Sequence, residues 1–356
     1  MRCHPCKARA ARGRGRAPPQ RRAQQGAALI IAMLVFALAT ALVVAMKSEF
    51  ERFYQRSVNL LFDEQAHAYL RGAEDLASLV LVMDYDEDKE EGLPRDDLQE
   101  LWARPAPDYP LDDIGWMRGS LEDLQGRFNL NTLAERAPGT GEPGATIRFT
   151  AAQEQFIRLL QALGDPAVSE QEAIAITESV SDWLDLDFTP SAEGAEDDYY
   201  YGQTPAYRTG NRPMTSVSEL RAVAYMTPQI YRALQPWITV WPQVPGKLNI
   251  HTAPAMVLRS LNADRDLTPL SAGEGEALAQ HREEAGFADI NDFLANPVFE
   301  GRRERMADVK GLLGQNTEYF LLDAVAEVAG RNMRLYSVLH RHNRQIDTLI
   351  RSAGSL

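Results

Sequence analysis

Residues Gln24–Phe53 read QQGAALIIAMLVFALATALVVAMKSEFERF and follow an arginine-rich tip, MRCHPCKARAARGRGRAPPQRR. From Ala27 to Met46 runs a block of 20 residues without a charge. At 1.5 Å of rise per residue such a block makes a helix about 30 Å long, the thickness of a bilayer's hydrocarbon core. The basic residues before it and the acidic chain after it place the N-terminus in the cytoplasm and the body outside. The competing reading is a secretory signal peptide, since Ala37-Leu38-Ala39 has the small-x-small form of a cleavage signal. A cut there falls inside the apolar run and leaves apolar residues up to Met46 on the product. A cut after Gly26, where the polar leader meets the apolar block, discards the basic leader and keeps the spanning helix whole.

The pattern continues beyond the block. Tyr54, Val58, Phe62, Ala66, Tyr69, Ala73, Leu76 and Val80 recur at steps of three or four, one stripe of a helix. Neither Pro nor Gly interrupts residues 27–71. One continuous helix to about Met83, about 85 Å long, is therefore expected.

Composition bounds the partners. A chain of 356 residues with 45% hydrophobic content has room for two or three domains with buried cores. Residues 1–26 carry +8 of charge against −13 overall, which leaves −21 on the remaining 330 residues. So acidic a body repels a phosphate backbone and favours divalent cations. Cys3 and Cys6 stand in the tip as Cys-His-Pro-Cys, too few ligands for a closed zinc site, and the body holds no cysteine for a disulfide.

A basic leader, Gly at the junction, an apolar helix and its amphipathic continuation together resemble the pseudopilins of bacterial type II secretion systems. Most subunits of that kind have Glu at the fifth position after the cut, where this chain, counted from Ala27, has Ile31. Such a Glu neutralises the N-terminal amine of the subunit ahead, because a lone charge in lipid is costly. A subunit lacking it suits the first place in a filament. The missing Glu, the length and the segment GRFNLNTL resemble the protein K family, the large minor pseudopilins. The resemblance implies a non-enzymatic cap on a periplasmic pseudopilus, bound to minor pseudopilins of the I and J types and to the major pseudopilin. It also implies cleavage between Gly26 and Ala27 by prepilin peptidase, methylation of Ala27, and an inner-membrane location with 27–46 in lipid and the body in the periplasm. A membrane-anchored periplasmic enzyme and a DNA-uptake pseudopilin are the alternative readings.

Beyond the long helix, DYDEDKEEGLPRDD (84–97) reads as a solvated acidic loop. WMRGSLEDLQGRFNLNTL (116–133) alternates around Gln125-Gly126 as a strand pair. Its end, Gly126-Arg127-Phe128-Asn129-Leu130-Asn131-Thr132, recurs as Gly246-Lys247-Leu248-Asn249-Ile250-His251-Thr252, an internal repeat with a period of 120 residues. Each copy leads into helical sequence, and the second resembles a helix-hairpin-helix segment without its hairpin glycines. With acidic surroundings, that segment reads as a packing module and nucleic acid is not an expected partner. YFLLDAVAEV and NMRLYSVLHR form a predicted hairpin.

The expected architecture is α+β: a pilin-like long N-terminal helix on an antiparallel sheet, with a large inserted helical domain. The predicted segments are a leader (1–26), a membrane helix (27–46), its periplasmic continuation (47–83) and body strands (84–135). After these come the insertion with an acidic loop (136–245), the second repeat (246–314), C-terminal strands (315–344) and a loose tail (345–356).

The densest polar cluster is Asp182, Asp185 and Asp187, followed by Glu196 and Asp197, with Asp198 and Glu219 in reserve. Carboxylates this close repel unless a cation neutralises them. With Asp185 at position 1 of a calcium loop, Asp187, Thr189, Glu193 and Glu196 fall at 3, 5, 9 and 12, but Pro190 replaces the glycine needed at 6. An irregular calcium loop is the expectation, and the resemblance adds to it because protein K relatives hold calcium in their inserted domain. No nucleophile elbow, zincin motif or P-loop is present, and His67, His251, His281, His340 and His342 are scattered. Tyr199, Tyr200, Tyr201 and Tyr207 read equally as a partner-binding patch or as packing behind the loop.

Overall fold

The computed structural model describes residues 24–92, 95–104, 106–111, 114–135 and 148–354. The leader before Gln24, with Cys3 and Cys6, and positions 136–147 of the insertion lie outside them. The chain divides into two compact units, 1–62 and 63–356. Helix α1 (Gln24–Glu91) supplies the described part of the first unit. Its apolar stretch is fully exposed and is long and apolar enough to cross a membrane, which makes it a candidate anchor. The helix runs eight residues past the expected end at Met83. Nothing before Gly92 breaks it, and Gly92 turns the chain with a φ of 68°, the usual helix-ending conformation.

In the second unit follow β1 (Tyr109–Leu111), β2 (Gly115–Asp123), β3 (Phe128–Asn129), α2 (Ala151–Ala162), α3 (Glu170–Leu184), α4 (Asp197–Tyr201) and α5 (Pro228–Leu234). Then come β4 (Ile238–Thr239), β5 (Leu248–Asn249), α6 (Ala255–Leu258), α7 (Ala272–Glu284), α8 (Ile290–Ala295), α9 (Ala307–Gly311) and β6 (Leu313–Gly314). The chain closes with β7 (Tyr319–Val328), β8 (Arg331–His342) and β9 (Gln345–Ser352). Five strands make one antiparallel sheet in the order β1-β2-β7-β8-β9. Strand alternation sends Phe320, Leu322, Ala324 and Ala326 of β7 inward, where they share a core with Leu70, Ala73, Ala77 and Leu81 of α1. Alanines facing alanines let helix and sheet approach closely. The predicted hairpin is present: Ala329 and Gly330, both at positive φ, form a two-residue turn between Val328 and Arg331.

Three expectations need correcting. The tail is a paired strand from Gln345 to Ser352, held because Thr348 and Arg351 hydrogen-bond the buried Glu74 of α1. The strand pair at Gln125-Gly126 does not form. Asp123 accepts a 2.6 Å bond from the Gln125 amide and caps a 3-10 turn, after which β3 leaves the sheet and pairs in parallel with β4. The acidic stretch is no solvated loop, since its first eight residues belong to α1 and Asp84 and Asp96 are buried.

Each copy of the repeat opens a helical module with its own core, one spanning Phe128 to Val240 and the other Leu248 to Leu313. Both copies fold alike. Asn129 and Asn249 accept the amide two residues on, each at 3.0 Å. Their amide groups donate to carbonyls of distant segments, Pro242 at 2.7 Å and Asp96 at 2.9 Å. The copies also touch, and a Cβ on Gly126 would stand 2.7 Å from the Thr252 hydroxyl.

A buried polar network joins helix, sheet and second module. Arg341 on β8 pairs with Asp84 at 2.8 Å and with Asp96, and also donates to the Thr317 carbonyl. Asp96 accepts the Thr317 amide at 2.7 Å. Asp123 accepts from Asn249, Thr252 and the Thr317 hydroxyl. Burial first, then neighbouring carboxylates, pushes Asp88 up to about 7 and Glu100 up to about 9. Asp84 and Asp123 are pushed up to about 6, with burial again the largest cause.

These carboxyls hold protons in the folded chain at a pH where the unfolded chain has shed them. Stability therefore falls as pH rises from about 4 through about 9. Urea unfolding of the detergent-solubilised chain, followed by tryptophan fluorescence, should show a higher midpoint at pH 5 than at pH 8; an equal or lower one refutes the account. Arg341→Gln strands two buried carboxylates and should cost about 3–5 kcal/mol at pH 8, and less at pH 5.

Candidate metal centre

Helix α3 starts at a capping box, in which Ser169 and Glu172 satisfy each other's backbone amides. It ends because Asp185, Asp187 and Pro190 offer the backbone something other than a helix. The Asp187 amide donates to Asp185 Oδ1 at 3.2 Å, and the Thr189 amide to Asp187 Oδ1 at 2.8 Å, two successive local turns. Asp185 is half-buried and Asp187 lies nearer the surface, while Leu186 between them and Phe188 after them are 82% and 69% exposed.

Glu196, just before α4, completes the group. One carboxylate oxygen from each of Asp185, Asp187 and Glu196 lies within 4.8 Å of the others. Glu196 is only 4% exposed, and neither of its oxygens has a hydrogen-bond partner. Burial, then the like charges of Asp182 and Asp185, pushes its carboxyl up to about 7. A buried carboxylate without a partner calls for a proton or a cation.

The other predicted ligands stand outside this triad. Asp182 is fully buried and accepts the Ser191 amide at 3.0 Å and its hydroxyl at 2.6 Å, so it pins the returning loop to α3. Asp197 accepts the amide and hydroxyl of Thr209. Asp198 is exposed, and Glu219 completes a capping box with Ser216.

Asn211 was not among the sequence candidates. Its amide nitrogen donates to the Asp187 carbonyl at 3.1 Å, and its Oδ1 is buried without a partner. No spacing rule marks it, because Gly210 brings it in by packing on Trp183, where a Cβ would lie 2.8 Å from the indole nitrogen. Of the tyrosines, Tyr200 is buried against Trp183 and Tyr207, and Tyr199 and Tyr201 are exposed. Packing thus accounts for Tyr200 and the inner face of Tyr207.

Asp84, Asp96 and Glu100 form a second group of three acids. Arg341 already stands among them as the cation. Asp185, Asp187 and Glu196 present hard oxygen donors of the kind calcium takes.

Two family models, both for type II secretion system protein K, match residues 126–243 and 248–313, the two modules built on the repeat. Together they cover more than half of the chain. It belongs to the type II secretion system protein K family. A relative from Pseudomonas aeruginosa, "Type II secretion system protein K", is 33% identical over 323 residues, 90% of each chain. One from Klebsiella pneumoniae is 29% identical over 334 residues, 93% of this chain and 97% of the other. Among solved structures, the GspK-GspI-GspJ complex from the type 2 secretion system of enterotoxigenic Escherichia coli matches with a TM-score of 0.71. The identity is 26%, and the match covers 85% of this chain and 100% of that one. The protein K pseudopilins are thus its kin in sequence and fold, in agreement with the α+β pilin-like architecture.

Loop closure over Asp182 leaves no room at Gly194, where a Cβ would overlap the Asp182 carboxylate. Gly194→Ala should cost about 1–3 kcal/mol in urea unfolding. A neutral outcome contradicts the described closure.

Proposed function

We propose that this chain is a minor pseudopilin that starts and caps the periplasmic pseudopilus of a type II secretion system, without enzymatic activity. It is processed by prepilin peptidase between Gly26 and Ala27 and anchored in the inner membrane through 27–46, with its body in the periplasm. Partners of the I and J types bind it, and major pseudopilin subunits follow below. The observation that carries this reading is the likeness of almost the whole chain to a chain solved in a complex with I and J subunits. Ile31 at the fifth mature position supports the leading place. A bulky two-module insertion fits a place at the end of a filament, since subunits so large cannot repeat along a narrow shaft.

Within this role, Asp185, Asp187 and Glu196 hold a calcium ion, with Asn211 Oδ1 as a further donor and Asp182 and Asp197 fixing the loop around it. The unpartnered, buried Glu196 carboxylate supports this. A bound cation supplies the missing charge and couples metal binding to loop order. Asp185, Asp187 and Asn211 approach from separate turns, so ordering them fixes the surface that Leu186 and Phe188 share.

Two experiments test these proposals. Co-expressed with the I- and J-type pseudopilins of its own system, the chain should co-purify in one complex. Its mature form should begin at N-methylated Ala27 by mass spectrometry; a start near Thr40 or no complex refutes the assembly role. Calorimetry should show calcium uptake, weakened at least about tenfold in Glu196→Gln, and chelation should lower the melting temperature. Absence of heat, with the melting temperature unmoved by chelator, sinks the calcium assignment alone.

A further inference from the structure

The repeat supplies an internal control that points to a second site. Asn131 in the first copy is buried and fully engaged: it donates to the carbonyls of Met214 and Val240 at 3.1 and 2.9 Å and accepts the Met214 amide at 2.8 Å. Its counterpart in the second copy, His251, is equally buried, yet Nε2 has no partner. His251 lines a cleft of about 490 Å³ with Arg95, Asp97, Arg282, Glu283 and Phe287. That size falls in the range of small-molecule sites.

Arg282 is the unusual member. It projects from α7, is 9% exposed, and donates from one terminal nitrogen to the Ala253 carbonyl. Its Nε has no partner, and the carboxylate whose charge acts on it, Glu283, belongs to an exposed residue. Burial accordingly pushes its guanidinium down from the ordinary arginine range. A buried guanidinium without a hydrogen-bonded counter-ion carries a desolvation cost that an oxyanion would offset. Arg95 stands near, held at 3.2 Å by Asp97, and its charge also acts on His251. The acids Glu283 and Glu284 sit at the exposed rim. Positive charge below and negative charge at the mouth favour a singly charged head over a polyanion.

We propose that this cleft binds a small ligand through one oxyanion group, a carboxylate by preference, received by Arg282 with His251 as second contact. The site is separate from the calcium loop and does not depend on it. Both contacts come from the second repeat module, and Arg95 joins them from the segment after α1. A ligand would therefore bridge that module and the segment following the N-terminal helix.

Thermal unfolding of the detergent-solubilised full chain in calcium-free buffer tests the proposal, with sodium acetate, sodium phosphate and sodium chloride compared at matched ionic strength. Acetate should raise the melting temperature saturably by about 2–4 °C at ten times its dissociation constant, while chloride should not. A saturable response to phosphate instead keeps the site and assigns it a phosphate-bearing ligand. Arg282→Met should melt no lower than the parent in chloride, because it removes a stranded charge, and should lose the acetate response. His251→Asn, which copies Asn131, should fold and bind acetate at least about threefold more weakly. If neither anion acts beyond chloride, or if both variants respond like the parent, there is no such site.

Discussion

Arg341 is the residue on which the rest of the body depends. It stands on β8, reaches the end of α1 through Asp84, the following segment through Asp96 and the start of β7 through the Thr317 carbonyl. Apolar packing alone, alanine against alanine between α1 and β7, is close but non-directional and would tolerate sliding. A guanidinium that bonds two carboxylates in fixed geometry does not. The network continues through Asp123 to Asn249 and Thr252, so the polar bonds that set helix against sheet also seat the second module. Burying so many carboxylates costs stability near neutral pH. What the arrangement gains is one register for segments that are distant in the sequence.

The two repeat modules use one local device for different ends. In each, an Asn holds its own turn with Oδ1 and reaches a foreign carbonyl with its amide group. The first copy spends that reach within its own module, on Pro242; the second spends it on Asp96, outside. Between the modules, Arg158 of α2 is wholly buried and donates to the carbonyls of Asp266 and Ala263 while pairing with Glu154 at 3.1 Å. Gly126 allows the copies to touch at Thr252. Duplicated modules thus join through backbone carbonyls, one glycine contact and apolar side chains such as Met256, Leu267 and Leu312, which pack on the first module's core.

Much of this was legible before any coordinates. Apolar length and a stripe of three- and four-residue steps marked α1, strict alternation marked β7 and β8, and the repeat marked both modules. What was not legible depended on partners far away in the chain. Asp84 and Asp96 look solvated until Arg341, some 250 positions on, is brought to them. β9 looked like a tail because its Ile346, Thr348 and Ile350 alternation is short, and its anchor, Glu74, lies on the helix. At the candidate metal centre, charge density marked the loop, yet of its acids only Asp185, Asp187 and Glu196 converge. Asp182 and Asp197 carry the same side chain but are used to hold backbone, and spacing cannot tell a ligand from a brace.

The two acid triads set their carboxylates in different company. Both gather three carboxylates within a few ångströms and both hold at least one carboxyl well above its ordinary range. The first has Arg341 in its midst, a cation that cannot leave and that restricts its carboxylates to a structural task. At the second, the charges acting on Glu196 from Asp182 and Asp185 are of its own sign, and its two oxygens are buried without a donor. A fixed cation bonded to its carboxylates makes a joint, and Arg341 serves as one.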